Sequence, residues 1–568
     1  MMRLDPVLER WSAHSERLFL AALLLVAALC IVIILDYTGY PYVFPPHRYK
    51  AFEYLLRTQD LSGSALLIAL AIAAYFTPTR KYALRLVDAV SHHPWRTALV
   101  AFAVLCLGAF YIQHHHPLAQ DEYAALFQSR IFAAGELTGR FPPELIARLV
   151  PPAYFNHFLY GSFETGQVAS AYWPGFALLL APFSLVNAPW ACNPFLASLA
   201  LVLMGALAER LTGARQARGW AMLLALGSPG FTGMAITYFS MNAHLLANLV
   251  FAWLLLERSN VRLLLAGVAG SIALVLHNPF PHFLFALPWV VWLGLQPGGY
   301  RKLLTLAAGY LPLAFALGFG WALLLSSIQG NPYYGLLPYD GNPVHRVANF
   351  FWSWHIKMRS ALPGPGDRVL ATRMAELARL STWAVPGLPL IAAAGWWLGW
   401  RQAGARLLGL SLLATLFGYL FIGFSQGHGW GARYLHPAWG ALPVLAAVAL
   451  SRAGATPAGQ RIAGYVGSLC LLSLVFATAL RATQIHGHLE MHLANRPPTV
   501  AGARHIVFVR LDPVNYTADL VQNDPFLRHQ VWYLMSFGRA ADEQLMRARF
   551  PGARLVSDDR RGQTWRLE

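Results

Sequence analysis

Two adjacent acidic residues, Asp121 and Glu122, stand immediately before an apolar pattern with helical spacing. Asp121 has the residue type of a helix N-cap, and Gly135 marks the end of the same predicted helix. A carboxylate held at the rigid start of a helix can act as a general base. The alternative is that Asp121 only caps the helix and Glu122 is only solvated. The apolar stripe of the helix comprises Tyr123, Leu126, Phe127, Ile131 and Ala134, with Arg130 on the same face.

A glycine-rich segment further along the chain contains one arginine that could bind a phosphate. It reads Gly427-His428-Gly429-Trp430-Gly431-Ala432-Arg433-Tyr434-Leu435-His436-Pro437. Glycine allows positive φ angles and a close approach of the backbone to a ligand, and arginine presents a planar fork of donors that matches a phosphate. Because Pro437 suits the first turn of a helix, Arg433 is predicted to lie beside a helix start. The alternative is a plain connecting loop.

An aromatic turn, Tyr172-Trp173-Pro174-Gly175-Phe176, precedes a short apolar helix predicted over 177–186. Tryptophan and tyrosine are common at membrane interfaces, where one edge of the ring is dry and the other is wet. The turn is therefore either an ordinary interfacial turn or the wall of a groove for a lipid or a sugar.

Histidines recur at the predicted ends of membrane spans and leave a metal site open as an alternative. Imidazole is a common metal ligand, but three adjacent histidines on one element have poor geometry for a single ion. The cysteines are far apart and form no CxxC motif, which excludes a thiolate zinc site and a disulfide framework. The histidines are His114, His115, His116, His244, His277, His282, His428 and His436, and the cysteines are Cys30, Cys106, Cys192 and Cys470.

The elements that must position these residues are membrane helices. The chain has 568 residues, of which 57% are hydrophobic and only 12% are charged, whereas soluble domains carry about 25% charged residues. Recurrent apolar runs, one of them at Trp220–Ile236, predict an all-α polytopic membrane protein with about 13 transmembrane helices. The composition excludes a disordered, collagen-like or nucleic-acid-binding chain. Arginines in many short loops explain the net charge of +17, so no nucleic acid partner is expected.

The distribution of basic residues predicts the orientation of the helices. The short loops that are cytoplasmic when the N-terminus lies inside hold arginine or lysine, whereas the short outer loops around Thr237 and His277–His282 hold neither, and the opposite orientation would reverse this contrast. An odd number of spans then puts the C-terminal tail in the periplasm or outside the cell. Three long segments fall on that outer side, at 113–192, 327–382 and 481–568. No aspartate or glutamate stands in the middle of a predicted span, which argues against an ion-coupled transporter.

The tail from Arg481 differs in composition and predicts a small α/β domain outside the membrane. A helix is predicted at Asp542–Arg549, before Phe550-Pro551-Gly552. Because this segment has no cysteine, its stability must come from packing. The predicted strands are His505–Arg510, Val531–Met535, Arg554–Ser557 and Thr564–Leu567.

In their order along the chain, these motifs resemble those of the GT-C superfamily of membrane glycosyltransferases, which use polyprenyl-phosphate-linked sugars. The branches that they resemble are the bacterial relatives of protein O-mannosyltransferases and the lipid A aminoarabinose transferases. Asp121-Glu122 opens the first large outer loop, and Tyr172–Phe183 is similar to the family stretch Y-x-P-G-[FY]-P-L-L-L-A-P-F. Gly431–Pro437 is similar to G-P-R-Y-L-x-P, with Ala432 in place of the proline. The tail resembles the small outer domain that ends many such chains.

The resemblance implies three parts in the inner, or plasma, membrane, with the N-terminus in the cytoplasm. Residues 1–96 would form two additional N-terminal transmembrane helices. Residues 97–480 would form a GT-C-like catalytic core that carries the outer loops 113–192 and 327–382. Residues 481–568 would form the small periplasmic α/β domain.

The resemblance also implies transfer of a sugar, with inversion, from a polyprenyl phosphate to a lipid, glycan or protein acceptor of the cell envelope. Asp121 would take the proton from the acceptor hydroxyl, Glu122 would support it, and Arg433 would hold the departing phosphate. A metal is not required if Arg433 does this, and a divalent metal stays an open alternative. His277 stands where some relatives have a lysine or arginine. The candidate substrate-binding residues are Arg433, Tyr434, His428, Tyr172, Trp173, Arg130 and His277.

Two other functions are compatible with parts of the sequence. An O-antigen-type ligase or polymerase would also act at the outer face, on lipid-diphosphate sugars, and would depend on loop arginines and histidines rather than on an acidic pair. A non-enzymatic lipid or solute transporter would require polar residues within the membrane.

Overall fold

Helices make up most of the protein in the computed structural model. The structure describes residues 6–39, 55–257, 259–329, 336–338, 340–423, 425–454 and 456–568, so residues 330–335 and 339 of the predicted outer loop lie outside the described residues. Six helices are long and apolar enough to cross a membrane, and one bent pair, Arg433–Trp439 with Ala441–Ala453, could make a seventh. Shorter apolar helices accompany them, and the number of 13 spans stays a prediction.

The first part of the chain consists of four helices followed by a long folded loop. Turns of π-helix extend α2 back to Leu56 and α4 forward to Ile112. Three short strands in the loop form an antiparallel sheet in the order β1-β3-β2. The helices are α1 Pro6–Gly39, α2 Leu61–Phe76, α3 Arg80–His92, α4 Pro94–Leu107, α5 Gln120–Ala133, α6 Ile146–Leu149 and α7 Gly175–Leu185, and the strands are β1 Gly139–Arg140, β2 Leu159–Gly161 and β3 Gln167–Ser170.

In the described residues between β3 and the C-terminal segment, the regular elements are all helices. A π-helical segment, Ala314–Phe319, joins α14 to α15, and another, Ser473–Ala477, joins α22 to α23. The helices are α8 Cys192–Thr212, α9 Arg215–Leu226, α10 Pro229–Ala235, α11 Met241–Leu255, α12 Asn260–Val275, α13 Phe280–Gly294, α14 Gly299–Leu313, α15 Gly320–Gln329, α16 Pro343–Ser360, α17 Val369–Thr382, α18 Leu388–Gly399, α19 Ala403–Tyr419, α20 His436–Trp439, α21 Ala441–Ala453, α22 Pro457–Leu472 and α23 Thr478–Leu493.

The span predicted at Trp220–Ile236 is not one continuous helix. Helix α9 ends at Leu226 and α10 begins at Pro229. Ser228 is extended, with φ −101° and ψ 105°, because the residue before a proline disfavours the helical conformation. Its hydroxyl accepts a hydrogen bond from the backbone N–H of Val385 at 3.0 Å, so the break is also a packing point.

The C-terminal segment forms the predicted small domain with a four-stranded sheet in the order β5-β4-β7-β6. Strand β4 is buried along its whole length and pairs in parallel with β5 and antiparallel with β7. All four predicted strands and the helix are present, and the helix begins three residues earlier than predicted. The elements are β4 His505–Val509, β5 Val531–Met535, α24 Arg539–Arg549, β6 Arg554–Asp559 and β7 Gly562–Arg566.

The C-terminal domain packs directly on the folded loop that follows α4. The Tyr123 hydroxyl donates to the carbonyl oxygen of Asn523 at 2.7 Å and accepts from its N–H. Arg148 forms a buried ion pair with Asp542 at 2.5 Å. One apolar cluster includes side chains of both the loop and the C-terminal domain. The C-terminal domain therefore packs against helix α5 and fixes its position.

The N-terminal helices are joined to the rest of the protein by a buried carboxylate. Asp60, in the π turn before α2, is 0% exposed. It accepts hydrogen bonds from Arg379 Nε at 3.1 Å, from the Thr382 hydroxyl at 2.9 Å and from Trp383 Nε1 at 2.8 Å. A buried charge that is paired and hydrogen-bonded in this way resists separation of its partners, so α2 is attached firmly to α17.

Candidate active site

The two chemical motifs of the sequence meet at one point in the structure. Asp121 is the second residue of α5, and its Oδ2 accepts a hydrogen bond from Arg433 Nη1 at 2.8 Å. Its other oxygen, Oδ1, accepts a hydrogen bond from the Tyr172 hydroxyl. The Asp121 side chain is 22% exposed and that of Arg433 is 9% exposed. A carboxylate and a guanidinium therefore form an ion pair that a ligand can still reach.

Arg433 is held by its own glycine-rich segment. Its Nη2 donates to the carbonyl oxygen of Gln426 at 2.5 Å, and its backbone N–H donates to Gln426 Oε1 at 2.7 Å. The guanidinium also lies 4.6 Å from the ring centroid of Phe239. Gly429 has φ +134°, and a Cβ on it would lie 3.0 Å from Arg433 Cδ. The glycine is needed because the backbone there is both left-handed and close to the arginine.

The aromatic turn brings Tyr172 to Asp121 by packing on the end of α12. Trp173 N–H donates to the carbonyl oxygen of His277 at 3.1 Å, and the rings of Tyr172 and His277 lie 3.8 Å apart between centroids. A Cβ on Gly175 would lie 2.7 Å from the carbonyl oxygen of Val275. The glycine of this turn therefore permits a close approach of two backbones.

The electrostatic environment keeps Asp121 ionised and His277 neutral. Burial alone would raise the pKa of Asp121, but the charge of Arg433 and the hydrogen bonds from Tyr172 and Arg433 lower it below its usual value. Burial lowers the pKa of His277 to about 4, although the nearby Asp121 charge opposes this shift. A carboxylate with a lowered pKa is a weak base, so Asp121 has a low affinity for a proton while it is paired with Arg433.

Glu122 does not join the ion pair, and its carboxylate accepts hydrogen bonds from backbone N–H groups. Its Oε2 accepts from Leu118 at 2.9 Å and from Ala119 at 3.3 Å, and its Oε1 accepts from Tyr238 at 2.8 Å. The side chain is 0% exposed, and burial raises its pKa to about 7 against the effect of these hydrogen bonds. The prediction that Asp121 is the N-cap is wrong. Ala119 is the N-cap, and Glu122 satisfies its N–H because a glutamate at the third helical position can reach back.

We expect Glu122→Gln to lower stability more than it affects the chemistry directly. A glutamine has only one acceptor oxygen, so at least one of the three buried N–H groups would lose its partner, at a cost of about 1–2 kcal/mol. The melting temperature in detergent should fall, and sugar transfer should fall less than in Asp121→Asn. Glu136→Gln, at an exposed position after the same helix, is the control. An unchanged melting temperature with a loss of transfer as large as in Asp121→Asn would put Glu122 in the chemistry instead.

The other candidate residues occupy different surroundings. Tyr434 stacks on Tyr419 with 4.5 Å between ring centroids, beside the ion pair. His428 is buried, and its Nε2 lies 3.7 Å from Asp519 of the C-terminal domain. Trp173 packs close to Gly318. Arg130 does not reach the ion pair and lines a separate cleft with residues of the C-terminal domain.

Several residues around the site were not predicted from the sequence. Gln426 holds the glycine-rich segment around Arg433 in place, since its Nε2 also donates a hydrogen bond to the carbonyl oxygen of Gly431 at 2.7 Å. Tyr238 supplies a backbone N–H to Glu122. Asp519 lies buried against Tyr154, and burial raises its pKa to about 8. No sequence motif marks these positions; the contacts of Tyr238 and Asp519 join distant segments of the chain, and those of Gln426 lie within its own segment.

One group of side chains has the arrangement of a metal site, and it does not include the ion pair. The ligand atoms of His114, His486 and Glu490 lie within 4.8 Å of one another, and this is the one such group among the described residues. His486 and Glu490 are four residues apart on α23, so they share a helix face. Of the predicted histidine run, only His114 takes part.

Comparison with solved structures identifies the architecture. ArnT from Cupriavidus metallidurans, bound to undecaprenyl phosphate, aligns with 84% of this chain and 98% of its own, at 14% identity and a TM-score of 0.51. The chain shares the fold of ArnT, as the GT-C resemblance predicted. The apo state of ArnT aligns with a TM-score of 0.48 at 14% identity, covering 82% of this chain and 97% of ArnT. Arabinosyltransferase EmbB from Mycobacterium smegmatis aligns with a TM-score of 0.34 at 14% identity, covering 69% of this chain and 34% of its own.

The GT-C resemblance predicted from the motifs is therefore correct at the level of the fold. No protein-family model and no curated protein matches the chain. The GT-C alignment includes nearly all of ArnT and leaves part of this chain outside it.

Proposed function

We propose that this protein is an integral-membrane glycosyltransferase that moves a sugar from a polyprenyl-phosphate donor to an acceptor hydroxyl at the outer face of the membrane. The Asp121–Arg433 pair carries the proposal. It places a carboxylate that can act as a base 2.8 Å from an arginine that can bind a phosphate, in one accessible site. The GT-C fold supports the donor class, since the ArnT structure with this fold is bound to undecaprenyl phosphate.

In this reaction the acceptor oxygen attacks the anomeric carbon while the bond from that carbon to the phosphate oxygen breaks. Asp121 takes the proton of the acceptor hydroxyl as the new bond forms. The electron pair of the broken bond leaves with the polyprenyl phosphate, whose added negative charge is stabilised by Arg433. Attack from the side opposite the leaving group inverts the configuration at the anomeric carbon.

Donor binding would also prepare Asp121 to act. In the ion pair, Arg433 neutralises Asp121 and lowers its pKa. A donor phosphate beside Arg433 would share the guanidinium, weaken its bond to Asp121 and so raise the proton affinity of the carboxylate. The Tyr172 hydroxyl would keep Asp121 in position during this exchange. The same ion pair therefore accounts for the low basicity of Asp121 when it is paired with Arg433 and for its activation when a donor phosphate shares the guanidinium.

The function is tested by mass spectrometry of glycolipids and glycoproteins from cells with and without the gene. We expect one sugar modification to disappear with the gene and to return with the wild-type copy. The purified protein should then transfer the sugar from a polyprenyl-monophosphate donor and not from a diphosphate donor. Transfer from the diphosphate only would favour the O-antigen-type alternative, and movement of an unchanged lipid across liposomes without transfer would favour a transporter.

The orientation of the C-terminal domain is a separate prediction. Because arginine and lysine recur in the short inner loops and are absent from the short outer loops around Thr237 and His277–His282, a reporter fused after His492 should be active if it functions in the periplasm and inactive if it functions in the cytoplasm. A reporter fused within the loop after α3, near His93, should give the opposite result and is the control. A cytoplasmic reporter that is active after His492 would contradict the predicted topology and an active site at the outer face.

A further inference from the structure

A second polar site lies between the far end of α5 and the C-terminal domain. It is a cleft of about 460 Å³. Arg130 of α5 lines one side, and Asp524, Arg528 and His529 of the C-terminal domain line the other. The cleft is therefore basic and is formed only when the two segments pack together.

The arginines of this cleft have no carboxylate partner among the residues that the structure describes. Neither guanidinium forms an ion pair, and that of Arg528 lies 4.5 Å from the ring centroid of Phe526. Asp524 is occupied locally, because its Oδ1 accepts the N–H groups of Phe526 at 2.9 Å and of Arg528 at 3.2 Å. Two permanent positive charges thus face the cleft against one negative charge, which favours an anion.

The cleft is separate from the Asp121–Arg433 pair. Arg130 is nine residues after Asp121 on the same helix, which corresponds to two and a half turns and about 13 Å along the axis. The two side chains therefore project from opposite faces of α5. A ligand in the cleft would not need to touch the candidate catalytic residues.

The rim of the cleft is apolar and lies where membrane helices end. Phe110 stands near the end of the apolar helix Pro94–Ile112, and Trp190 stands at the start of Pro189–Thr212. Leu185, also on the rim, is 64% exposed. Helix ends of this kind lie at the level of the lipid headgroups, and aromatic rings are common there.

We propose that this cleft binds the phosphate headgroup of an anionic membrane lipid. The planar forks of Arg130 and Arg528 match phosphate oxygens, with two parallel hydrogen bonds available from each. The exposed apolar rim would contact the first carbons of the acyl chains. This site is additional to the donor site of the proposed glycosyltransferase and does not depend on it.

The test measures lipid binding to the full-length protein in neutral detergent, with no activity readout. Native mass spectrometry compares phosphatidylglycerol with phosphatidylcholine for the wild type, Arg130→Gln, Arg528→Gln and the double variant. We expect the wild type to prefer phosphatidylglycerol and the double variant to lose about 10- to 100-fold in affinity for it, because each lost arginine removes charged hydrogen bonds. Arg547→Gln, whose side chain is 79% exposed and outside the cleft, should behave like the wild type.

A second arm adds inorganic phosphate and follows thermal unfolding. If phosphate at millimolar concentration raises the melting temperature of the wild type and competes with the lipid, the phosphate group alone is sufficient for recognition. If only the lipid raises it, the apolar rim is also required, and either result supports the site. Equal binding of the two lipids by the wild type, or unchanged phosphatidylglycerol binding in a folded double variant, would overturn the proposal. If the double glutamine variant unfolds, the variant Arg130→Lys with Arg528→Lys is used in its place. It keeps both charges and removes the two planar forks.

Discussion

Replacing Asp121 with asparagine should lower sugar transfer at least about 100-fold, the usual scale for the loss of a general base. The amide is nearly the same size as the carboxylate, and its one oxygen can still accept from Arg433 while its NH2 group donates to the Tyr172 hydroxyl oxygen, so contacts with both partners of Asp121 can be kept. The fold should survive, because Glu122 and not Asp121 satisfies the N–H groups at the start of α5. The measurement is the transfer rate of the purified variant with a polyprenyl-phosphate donor.

The control for this substitution is Glu136→Gln, which removes a carboxylate at an exposed position just beyond α5. It should keep full activity and the wild-type melting temperature. A well-expressed Asp121→Asn protein with nearly full activity would reduce Asp121 to a structural partner of Arg433. Equal loss of activity and of folded protein would also remove the evidence for a base.

Replacing Arg433 with alanine should abolish most of the transfer activity, whereas replacing it with lysine should leave part of it. The loss of a charged hydrogen-bond partner costs about 1.5–3 kcal/mol, which corresponds to one to two orders of magnitude in rate or affinity. Lysine keeps the charge, but it lacks the planar fork that reaches both Asp121 and the carbonyl oxygen of Gln426. Donor binding and transfer are measured for both variants.

Thermal unfolding distinguishes a ligand-binding role of Arg433 from a purely structural one. If Arg433 contacts the donor phosphate, donor affinity should fall even in protein that melts at the wild-type temperature. If it only holds the loop through Gln426 and Asp121, both variants should melt earlier and the folded fraction should bind the donor normally. Arg401→Ala, at an exposed position distant in sequence, is the control. Normal donor affinity in a stable alanine variant would exclude Arg433 from the site.

The local elements and their chemical content were predictable from neighbouring residues in the sequence. Strands β4 to β7 and helix α24 were predictable because alternation and helical periodicity are properties of neighbouring residues. The end of α5 near Gly135 was predictable for the same reason, since glycine readily adopts the left-handed conformation that ends a helix. The acidic, aromatic and arginine motifs, taken in order, also led to the GT-C fold that the comparison with ArnT supports.

The contacts of these residues became clear only when the whole chain was folded. Asp121 and Arg433 are 312 positions apart, and nothing in the local spacing of either motif specifies the other as its partner. Glu122 stands beside Asp121 in the sequence, but its Oε1 accepts a hydrogen bond at 2.8 Å from the backbone N–H of Tyr238, a residue that no local pattern connects to it. Arg130 stood on the same predicted helix as Asp121, yet the packing of the C-terminal domain forms a separate cleft around it. The physical reason is that hydrophobic packing joins distant segments, whereas sequence patterns report only which face of an element is apolar.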